Sequence, residues 1–191
     1  MARLLEELMI SVGSNAATAR TNGSASAAFK AAGATLEQWT LDLADAPAAA
    51  DRLRQWLDGL DASRFASATL INNAGVAGAE EMVVDMSVDA WNYTLDANLV
   101  SNYFLMHHVA PLMKAQGSGY ILNVSSYFGG EKYLAVAYPN RADYAVSKAG
   151  QRAMVESMAR YLGPEVQFNA IAPGPVDGDR LSGTGGKPLT K

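Results

Sequence analysis

Tyr144 and Lys148 are two side chains whose types and spacing could carry out chemistry together. Residues four positions apart share one face of an α-helix, so the lysine ammonium would lie beside the phenol. A neighbouring positive charge favours the phenolate, which makes the tyrosine a usable acid and base near neutral pH. Ser125 and Ser126 precede this pair, and a serine hydroxyl could hydrogen-bond a substrate oxygen on which charge develops. These residues predict acid–base chemistry at a substrate oxygen.

Short apolar segments that alternate with helical patterns would position these side chains. Four segments read as strands closed by turn or polar residues: 35–43, 66–71, 119–125 and 166–172. Apolar residues recur at helical spacing over three segments: 46–60, 87–116 and 144–162. Ser87 is a candidate N-cap of the second of these helical segments. Residues 1–10 are expected to be the end of an amphipathic helix.

Alternating strands and helices of these lengths predict an α/β fold, a Rossmann-like doubly wound parallel sheet. Ligands bind such sheets outside the carboxyl ends of the strands. Several polar or turn segments are expected at that edge: Asp42, Asn72–Gly75, Ser125–Ser126 and Pro173–Gly174. Tyr144 and Lys148 lie at the start of the helix between the last two strands, so the sequence brings all of these residues to one edge.

The composition argues against several other classes of function. The chain has 49% hydrophobic and 18% charged residues and a net charge of −4, which is an ordinary globular balance without a nucleic-acid-binding character. It has no cysteine, and His107 and His108 are adjacent and point in different directions, so no metal site is expected. No segment approaches the ~20 apolar residues of a membrane span. Without a signal peptide at the start, a cytoplasmic location is expected.

Five motifs together resemble those of the short-chain dehydrogenase/reductase family, from residue 35 onward. They are NNAG (72–75), ANLVSNYF (97–104), VSS (124–126), YAVSK (144–148) and APGPV (172–176). The resemblance implies four catalytic residues: Asn98, Ser126, Tyr144 and Lys148. Ser126 is chosen over Ser125 because the second serine of this motif is the catalytic one in the family, and Ser125 is expected to be structural.

The same resemblance implies a nicotinamide cofactor, NADP(H) rather than NAD(H). Tyr144 and Lys148 would contact it as well as the substrate. Asp42 would flank the adenine ring, and backbone groups of Asn72, Ala74 and Gly75 would line the cofactor. Pro173, Gly174 and Val176 would form the loop on the nicotinamide side.

Within the family, segments 119–133, 138–154, 162–181 and 183–188 are similar to the thioester-reducing half of bacterial bifunctional malonyl-CoA reductases. A short insertion before Tyr144 carries Arg141, and Arg180 follows the APGPV motif. Two arginines could hold a free substrate carboxylate bidentately. The resemblance therefore implies an acyl-CoA substrate, malonyl-CoA reduced to malonate semialdehyde. It also implies a parent enzyme that is a homo-oligomer or a longer multidomain chain.

The beginning of the chain departs from the family pattern, because Gly13, Gly23 and Gly33 are isolated and follow no evident apolar strand. We expect one partial domain, truncated at both ends: a remnant helix and linker over 1–34, a core over 35–177 and the start of a substrate loop over 178–191. The strand at 66–71 would then lack a neighbour, and unpaired backbone groups would leave the isolated chain aggregation-prone and inactive.

Two rival functions stay open from the sequence. The first is an ordinary family member that reduces a ketone, interconverts it with an alcohol, or reduces a 3-oxoacyl thioester. The second is a catalytically inactive scaffold module. Titration with a nicotinamide cofactor would distinguish the scaffold from either reductase. Loss of Arg141 should impair the reduction of malonyl-CoA and spare that of a neutral carbonyl.

Overall fold

The computed structural model describes residues 41–130 and 137–175, residue 31, and the backbone of residues 6–12. Strands within these residues are β1 (Glu6–Val12), β2 (Phe65–Asn72), β3 (Gly119–Val124) and β4 (Val166–Ile171). The helices are α1 (Ala46–Asp58), α2 (Val88–Leu95), α3 (Ser101–Gln116) and α4 (Ala142–Leu162). A π-helical turn, Asp96–Val100, joins α2 to α3, and 3-10 turns are formed by Ala62–Arg64, Tyr127–Gly129 and Pro139–Arg141.

All strand pairings in this sheet are parallel, and the strand order is β1-β2-β3-β4. The register aligns Val12 with Asn72 and Asn72 with Asn123. The carboxyl ends of neighbouring strands therefore lie at one level, with Val124 of β3 opposite Ile171 of β4. The predicted α/β parallel sheet is confirmed, and the residues that follow β2, β3 and β4 meet at one edge.

Helix ends follow the local signals in the sequence. The side chain of Asp45 caps α1 by accepting from Ala48 N at 3.2 Å, and Ser87 Oγ caps α2 by accepting from Ala90 N at 3.1 Å. Gly117 ends α3 with a φ of 70°, a left-handed conformation that glycine adopts without steric cost. The helical segments predicted over 46–60, 87–116 and 144–162 are confirmed, although α4 begins two residues before Tyr144.

The hydrophobic core lies between the sheet and α1, α3 and α4, with α3 in contact with both other helices. Leu105, Met106, Val109 and Met113 of α3 are buried in it. The strands contribute Leu70, Ile121 and Phe168. Burying a side chain of this size contributes about 1.5–3 kcal/mol, so this layer fixes the helices that carry the site. None of the helices in the described residues is long and apolar enough to span a membrane.

The start of the chain differs from the expected helix. Residues 6–12 form β1, which pairs with β2 on the edge that was expected to lack a neighbour, so the predicted unpaired edge of β2 is wrong. Gly13 therefore follows a strand directly. The expectation failed because a short apolar run fits a buried helix and a buried parallel strand equally well.

The predicted strand at 35–43 is wrong where it can be compared. Residues 41–43 are not in a strand, and residues 35–40 lie outside the described part of the chain. Asp42 is exposed, and its Oδ1 accepts from Ala44 N at 3.0 Å. An aspartate that bonds to the backbone two residues ahead favours a turn over a strand, which explains the difference.

Candidate functional site

The candidate site is built where β2 and β3 end and where α4 begins. Asn72 is the last residue of β2, and Ser125 and Ser126 follow β3 directly. Tyr144 and Lys148 lie in the first two turns of α4. Ser125 Oγ donates to the backbone carbonyl of Lys148 at 2.7 Å, which joins the end of β3 to the helix. The structure therefore brings the predicted strand-end segments to the helix that carries the acid–base pair.

Lys148 is buried, with 4% of its surface exposed, and its ammonium is held by hydrogen-bond acceptors of the protein. Nζ donates to the carbonyl of Val124 at 2.9 Å and to Gln151 Oε1 at 3.4 Å. A buried ammonium needs such acceptors because desolvation of an unpaired charge is costly. Nζ lies 5.9 Å from the centre of the Tyr144 ring. The positive charge is therefore fixed beside the phenol, as the spacing predicts.

The NNAG segment passes close to this lysine. A Cβ on Gly75 would lie 3.3 Å from Lys148 Nζ and 3.2 Å from Asn98 Oδ1, tighter than most packed contacts. Glycine therefore allows the backbone after β2 to approach both residues. Asn72 and Ala74 are buried, and Asn72 Nδ2 donates to Asn123 Oδ1 at 2.8 Å across the sheet.

Ser126 and Tyr144 both contact Phe128. Ser126 is buried, and its Oγ accepts from Phe128 N at 3.3 Å. The rings of Phe128 and Tyr144 meet edge to face with centres 5.7 Å apart. Phe128 of the 3-10 turn Tyr127–Gly129 therefore contacts both the serine hydroxyl, through its backbone, and the half-buried phenol, through its ring.

Tyr127 lies in the same turn, but the groups around it do not suit a general base. Burial raises the pKa of Tyr127, and the phenols of Tyr138 and Tyr144 raise it further, while Arg141 lowers it. A raised phenol pKa keeps the hydroxyl protonated at neutral pH. Tyr127 can therefore donate a hydrogen bond but is not suited to accept a proton.

Asn98 is fully buried in the π-helical turn and fastens the loop after β2. Its Oδ1 accepts from Val76 N at 2.7 Å, and its Nδ2 donates to Val76 O at 3.1 Å and to Ser147 Oγ at 3.0 Å. Both ends of the carboxamide are thus used within the protein. The structure brings Asn98 to Lys148 and Gly75, but its side chain acts as a clamp on Val76.

Two residues of the site were not foreseen from the sequence. Gln151 is fully buried, accepts from Lys148 through Oε1 and donates through Nε2 to the backbone carbonyl of Asn98. Asp143 is fully buried, and its Oδ2 accepts from Thr94 Oγ1 at 2.7 Å and from Ala79 N at 3.3 Å. Their closeness in sequence to Tyr144 and Lys148 was the signal that could have found them.

Arg141 lies in the turn before α4, at the edge of the aromatic cluster formed by Tyr127, Phe128, Tyr138 and Tyr144. Its guanidinium carbon is 6.0 Å from the centre of the Phe128 ring. Its Nη2 forms an ion pair with Glu80 Oε1. Glu80 belongs to the loop after β2, so this ion pair joins that loop to the turn before α4.

Of the remaining predicted site residues, Pro173 contacts this cluster, Asp42 and Gly174 make no contact with it that the structure shows, and the others lie outside the described residues. Pro173 O accepts from Tyr127 N at 3.2 Å, which holds the loop after β4 against the end of β3, and Gly174 is exposed. Val176 and Arg180 lie outside the described residues. Asp42 bonds within its own turn. Among the residues that the structure describes, no group of three or more acidic or histidine side chains could hold a metal ion.

The arrangement combines a phenol, a fixed ammonium and a buried hydroxyl at the edge where parallel sheets bind ligands. Such a set can donate a proton or a hydrogen bond to a substrate oxygen as negative charge develops on it. The arginine at the edge of the aromatic cluster adds a group that binds carboxylates.

Comparison with known proteins adds four findings. A family model described as enoyl-(acyl carrier protein) reductase matches residues 2–190. The solved C-domain of a bacterial malonyl-CoA reductase with NADP is 65% identical, with a TM-score of 0.74, and the match covers 95% of this chain and 28% of that one. Trans-4-hydroxycyclohexanecarboxylate dehydrogenase of Sinomonas cyclohexanicum is 38% identical over 108 residues, 56% of this chain and 39% of the relative.

A further relative is the 3-oxoacyl-(acyl-carrier-protein) reductase of Staphylococcus aureus strain Mu50. It is 34% identical over 119 residues, which are 61% of this chain and 46% of the relative. The chain thus spans less than half of the length of these curated relatives.

Proposed function

Because the chain belongs to the short-chain dehydrogenase/reductase family, we propose that it carries the catalytic residues of an NADP(H)-dependent reductase acting on malonyl-CoA. This proposal rests on one arrangement, the buried Lys148 ammonium fixed beside Tyr144 with Ser126 in the adjoining turn. It is supported by the similarity to a malonyl-CoA reductase domain that was solved with NADP.

The residues present fit a nicotinamide nucleotide. At Gly75 the backbone of the NNAG segment comes so close to Lys148 that a Cβ would be crowded, so glycine presents bare backbone beside the ammonium after β2. The Lys148 ammonium and the Tyr144 hydroxyl are donors of the kind that ribose hydroxyls accept. We assign Asn72, Ala74, Gly75, Tyr144 and Lys148 to this contact, with Pro173, Gly174 and Val176 on the nicotinamide side and Asp42 toward the adenine. When bound, NADPH supplies a hydride to the carbonyl carbon of the thioester.

Each catalytic side chain then has a defined task. Tyr144 donates its phenolic hydrogen to the carbonyl oxygen as charge develops there, and Ser126 donates a second hydrogen bond to the same oxygen. Lys148 stabilises the phenolate that remains on Tyr144. Asn98 holds the loop after β2, and Gln151 holds Lys148. Collapse of the tetrahedral carbon returns the hydroxyl proton to the Tyr144 phenolate, re-forms the C=O bond of the aldehyde and breaks the C–S bond, so that CoA leaves as the thiolate. The chain has no cysteine that could hold the acyl group instead.

Malonyl-CoA differs from a simple acyl thioester by its free carboxylate. We assign Arg141, and Arg180 with it, to that group. Arg141 lies on Phe128, whose ring contacts Tyr144, so a substrate carbonyl at Tyr144 has a carboxylate-binding group beyond the intervening ring. Reduction of a neutral 3-oxoacyl thioester is the alternative that the similarity to 3-oxoacyl-(acyl-carrier-protein) reductases favours.

The test compares NADPH oxidation with malonyl-CoA and with acetoacetyl-CoA, whose acyl group is neutral. Arg141→Ala should reduce kcat/KM for malonyl-CoA by at least tenfold and leave acetoacetyl-CoA unaffected, whereas Arg160→Ala, an exposed arginine late in α4, should change neither. Tyr144→Phe should lower turnover of any substrate by orders of magnitude. Equal loss for both substrates in Arg141→Ala would reject the carboxylate assignment. Absence of NADPH binding by calorimetry would favour the inactive scaffold.

A further inference from the structure

The Glu80–Arg141 ion pair connects the loop after β2 with the turn before α4. Glu80 Oε1 contacts Arg141 Nη2, and the two side chains are 52% and 27% exposed, respectively. Ion pairs exposed to this degree are weak, because water solvates both charges when they separate. The pair therefore holds a carboxylate on Arg141 without a large cost for its release.

The position of Glu80 does not depend on this ion pair. Its backbone has a φ of 55°, and the preceding residue donates from Ala79 N to the buried carboxylate of Asp143 at 3.3 Å. Gly78, with a φ of 88°, packs so closely on Asp143 that a Cβ would lie 2.6 Å from Oδ2. The loop is thus fixed by its backbone, and the Glu80 side chain is free to turn toward solvent while the loop stays in place.

The carboxylate of Glu80 lies where a substrate carboxylate would have to bind. Arg141 rests on Phe128, and Phe128 contacts Tyr144. Glu80 contacts the guanidinium through Nη2, whereas a free carboxylate that meets two N–H groups of a guanidinium binds it more strongly.

We propose that Glu80 is a specificity-determining residue, an internal counter-ion that occupies Arg141 until the free carboxylate of an acyl thioester displaces it. Glu80 then lowers the affinity for every ligand that Arg141 binds through a carboxylate and leaves neutral acyl thioesters unaffected. This inference rests on the proposed function, because it requires Arg141 to bind the substrate carboxylate.

The test uses the full chain with Glu80→Gln, which keeps the size of the side chain and removes its charge. Glu81→Gln is the matched control, since Glu81 is an exposed neighbour in the same loop. Glu80→Gln should lower the Kd for malonyl-CoA, measured by calorimetry, about three- to tenfold. Malonate, used as a probe of the carboxylate site alone, should bind more tightly by a similar factor. The Kd for acetoacetyl-CoA should not change, and Glu81→Gln should alter none of these values.

Each outcome separates this inference from the proposed function. In an Arg141→Ala background, Glu80→Gln should have no further effect, because the residue acts through Arg141. Unchanged or weaker binding of malonyl-CoA by Glu80→Gln, with Arg141→Ala still impaired, would overturn the role of Glu80 alone. Wild-type affinity for malonyl-CoA in Arg141→Ala would instead overturn the assignment of the carboxylate to Arg141, and this inference with it.

Discussion

Gln151 accepts a hydrogen bond from the Lys148 ammonium at 3.4 Å, one helical turn further along α4. The other end of the same amide donates to the backbone carbonyl of Asn98 in the π-helical turn. Gln151 is fully buried, so these bonds replace those it would make with water. Lys148 is consequently held by acceptors from two directions, the end of β3 at Val124 and its own helix at Gln151.

Replacing Gln151 with leucine should affect the position of the Lys148 ammonium more than the stability of the fold. The substitution leaves Lys148 with one fewer acceptor and the Asn98 carbonyl without its donor, at a cost of about 1–3 kcal/mol in unfolding free energy. Because the ammonium would be held less firmly beside Tyr144, kcat should fall. Denaturant titration and turnover measure the two effects.

Gln55→Leu is the matched control, since Gln55 is exposed on α1 and remote from Lys148. It should leave kcat unchanged. A wild-type kcat in Gln151→Leu, alongside the loss of stability, would reduce Gln151 to a packing residue. Gln151→Glu should recover an acceptor for the ammonium and with it part of the rate.

Gly129 should not tolerate any side chain. An added Cβ would lie 2.5 Å from the backbone carbonyl carbon of Lys148, and backbone atoms cannot move aside as a flexible side chain can. Gly129→Ala should therefore push the turn that carries Ser126 away from α4, with a loss of about 1–3 kcal/mol in stability and a lower kcat. Thermal melts and turnover measure this.

Gly59→Ala provides the comparison for Gly129. A Cβ at Gly59 would meet its nearest neighbour at 3.5 Å, an ordinary contact. Its effect on both stability and turnover should be small. Equal melting temperatures for the two alanine variants would show that the turn yields without strain.

Much of the sheet edge was predictable from residue types. β2, β3 and β4 are apolar runs closed by polar or turn residues, and each was predicted to within one or two residues of its bounds. The pairing of Tyr144 with Lys148 follows from helical spacing alone. Local sequence patterns therefore predicted those parts of the site that lie within a single helix or strand.

The parts that could not be predicted depend on contacts between distant segments. Asp143 meets Thr94 across 49 residues, and Glu80 meets Arg141 across 61, so no periodicity marks either pair. β1 was misread because its apolar run is too short for periodicity to separate strand from helix. The parallel pairing with β2 makes this segment a strand, and that pairing is a tertiary contact that the local sequence does not show.

Lys114 links the last turn of α3 to the end of α4, and this contact should be sensitive to pH. Its Nζ donates to the carbonyl of Tyr161 at 3.2 Å and pairs with Glu165 Oε2 at 3.1 Å. A cation at the carboxyl end of a helix contributes about 0.3–1 kcal/mol, so Lys114→Met should lower the unfolding free energy by that order. Denaturant titration at neutral pH measures this loss.

Glu165 supplies the pH dependence of the same contact. Its own backbone N–H and, after it, Lys114 hold the pKa of the Glu165 carboxyl below its ordinary value. A depressed folded-state pKa means that the carboxylate stabilises the fold above its unfolded-state pKa and loses this effect as the pH falls through the folded-state value. Glu165→Gln should thus be less stable than wild type at neutral pH and equal to it in acid. A difference that persists at low pH would contradict this.

Asp143, in the first turn of α4, should be the residue on which the loop that carries Glu80 depends most. Its Oδ2 accepts from Thr94 Oγ1 and Ala79 N, whereas its buried Oδ1 has no hydrogen-bond partner among the described residues. Asp143→Ala leaves the Ala79 N–H without an acceptor, so the unfolding free energy should fall by about 1–3 kcal/mol. Asp143→Asn keeps one acceptor oxygen and should cost less.

Asp85→Ala, at an exposed aspartate further along the loop, should be neutral in the same denaturant titration. If Asp143→Ala were as stable as Asp85→Ala, the loop would be held by Asn98 and Val76 alone.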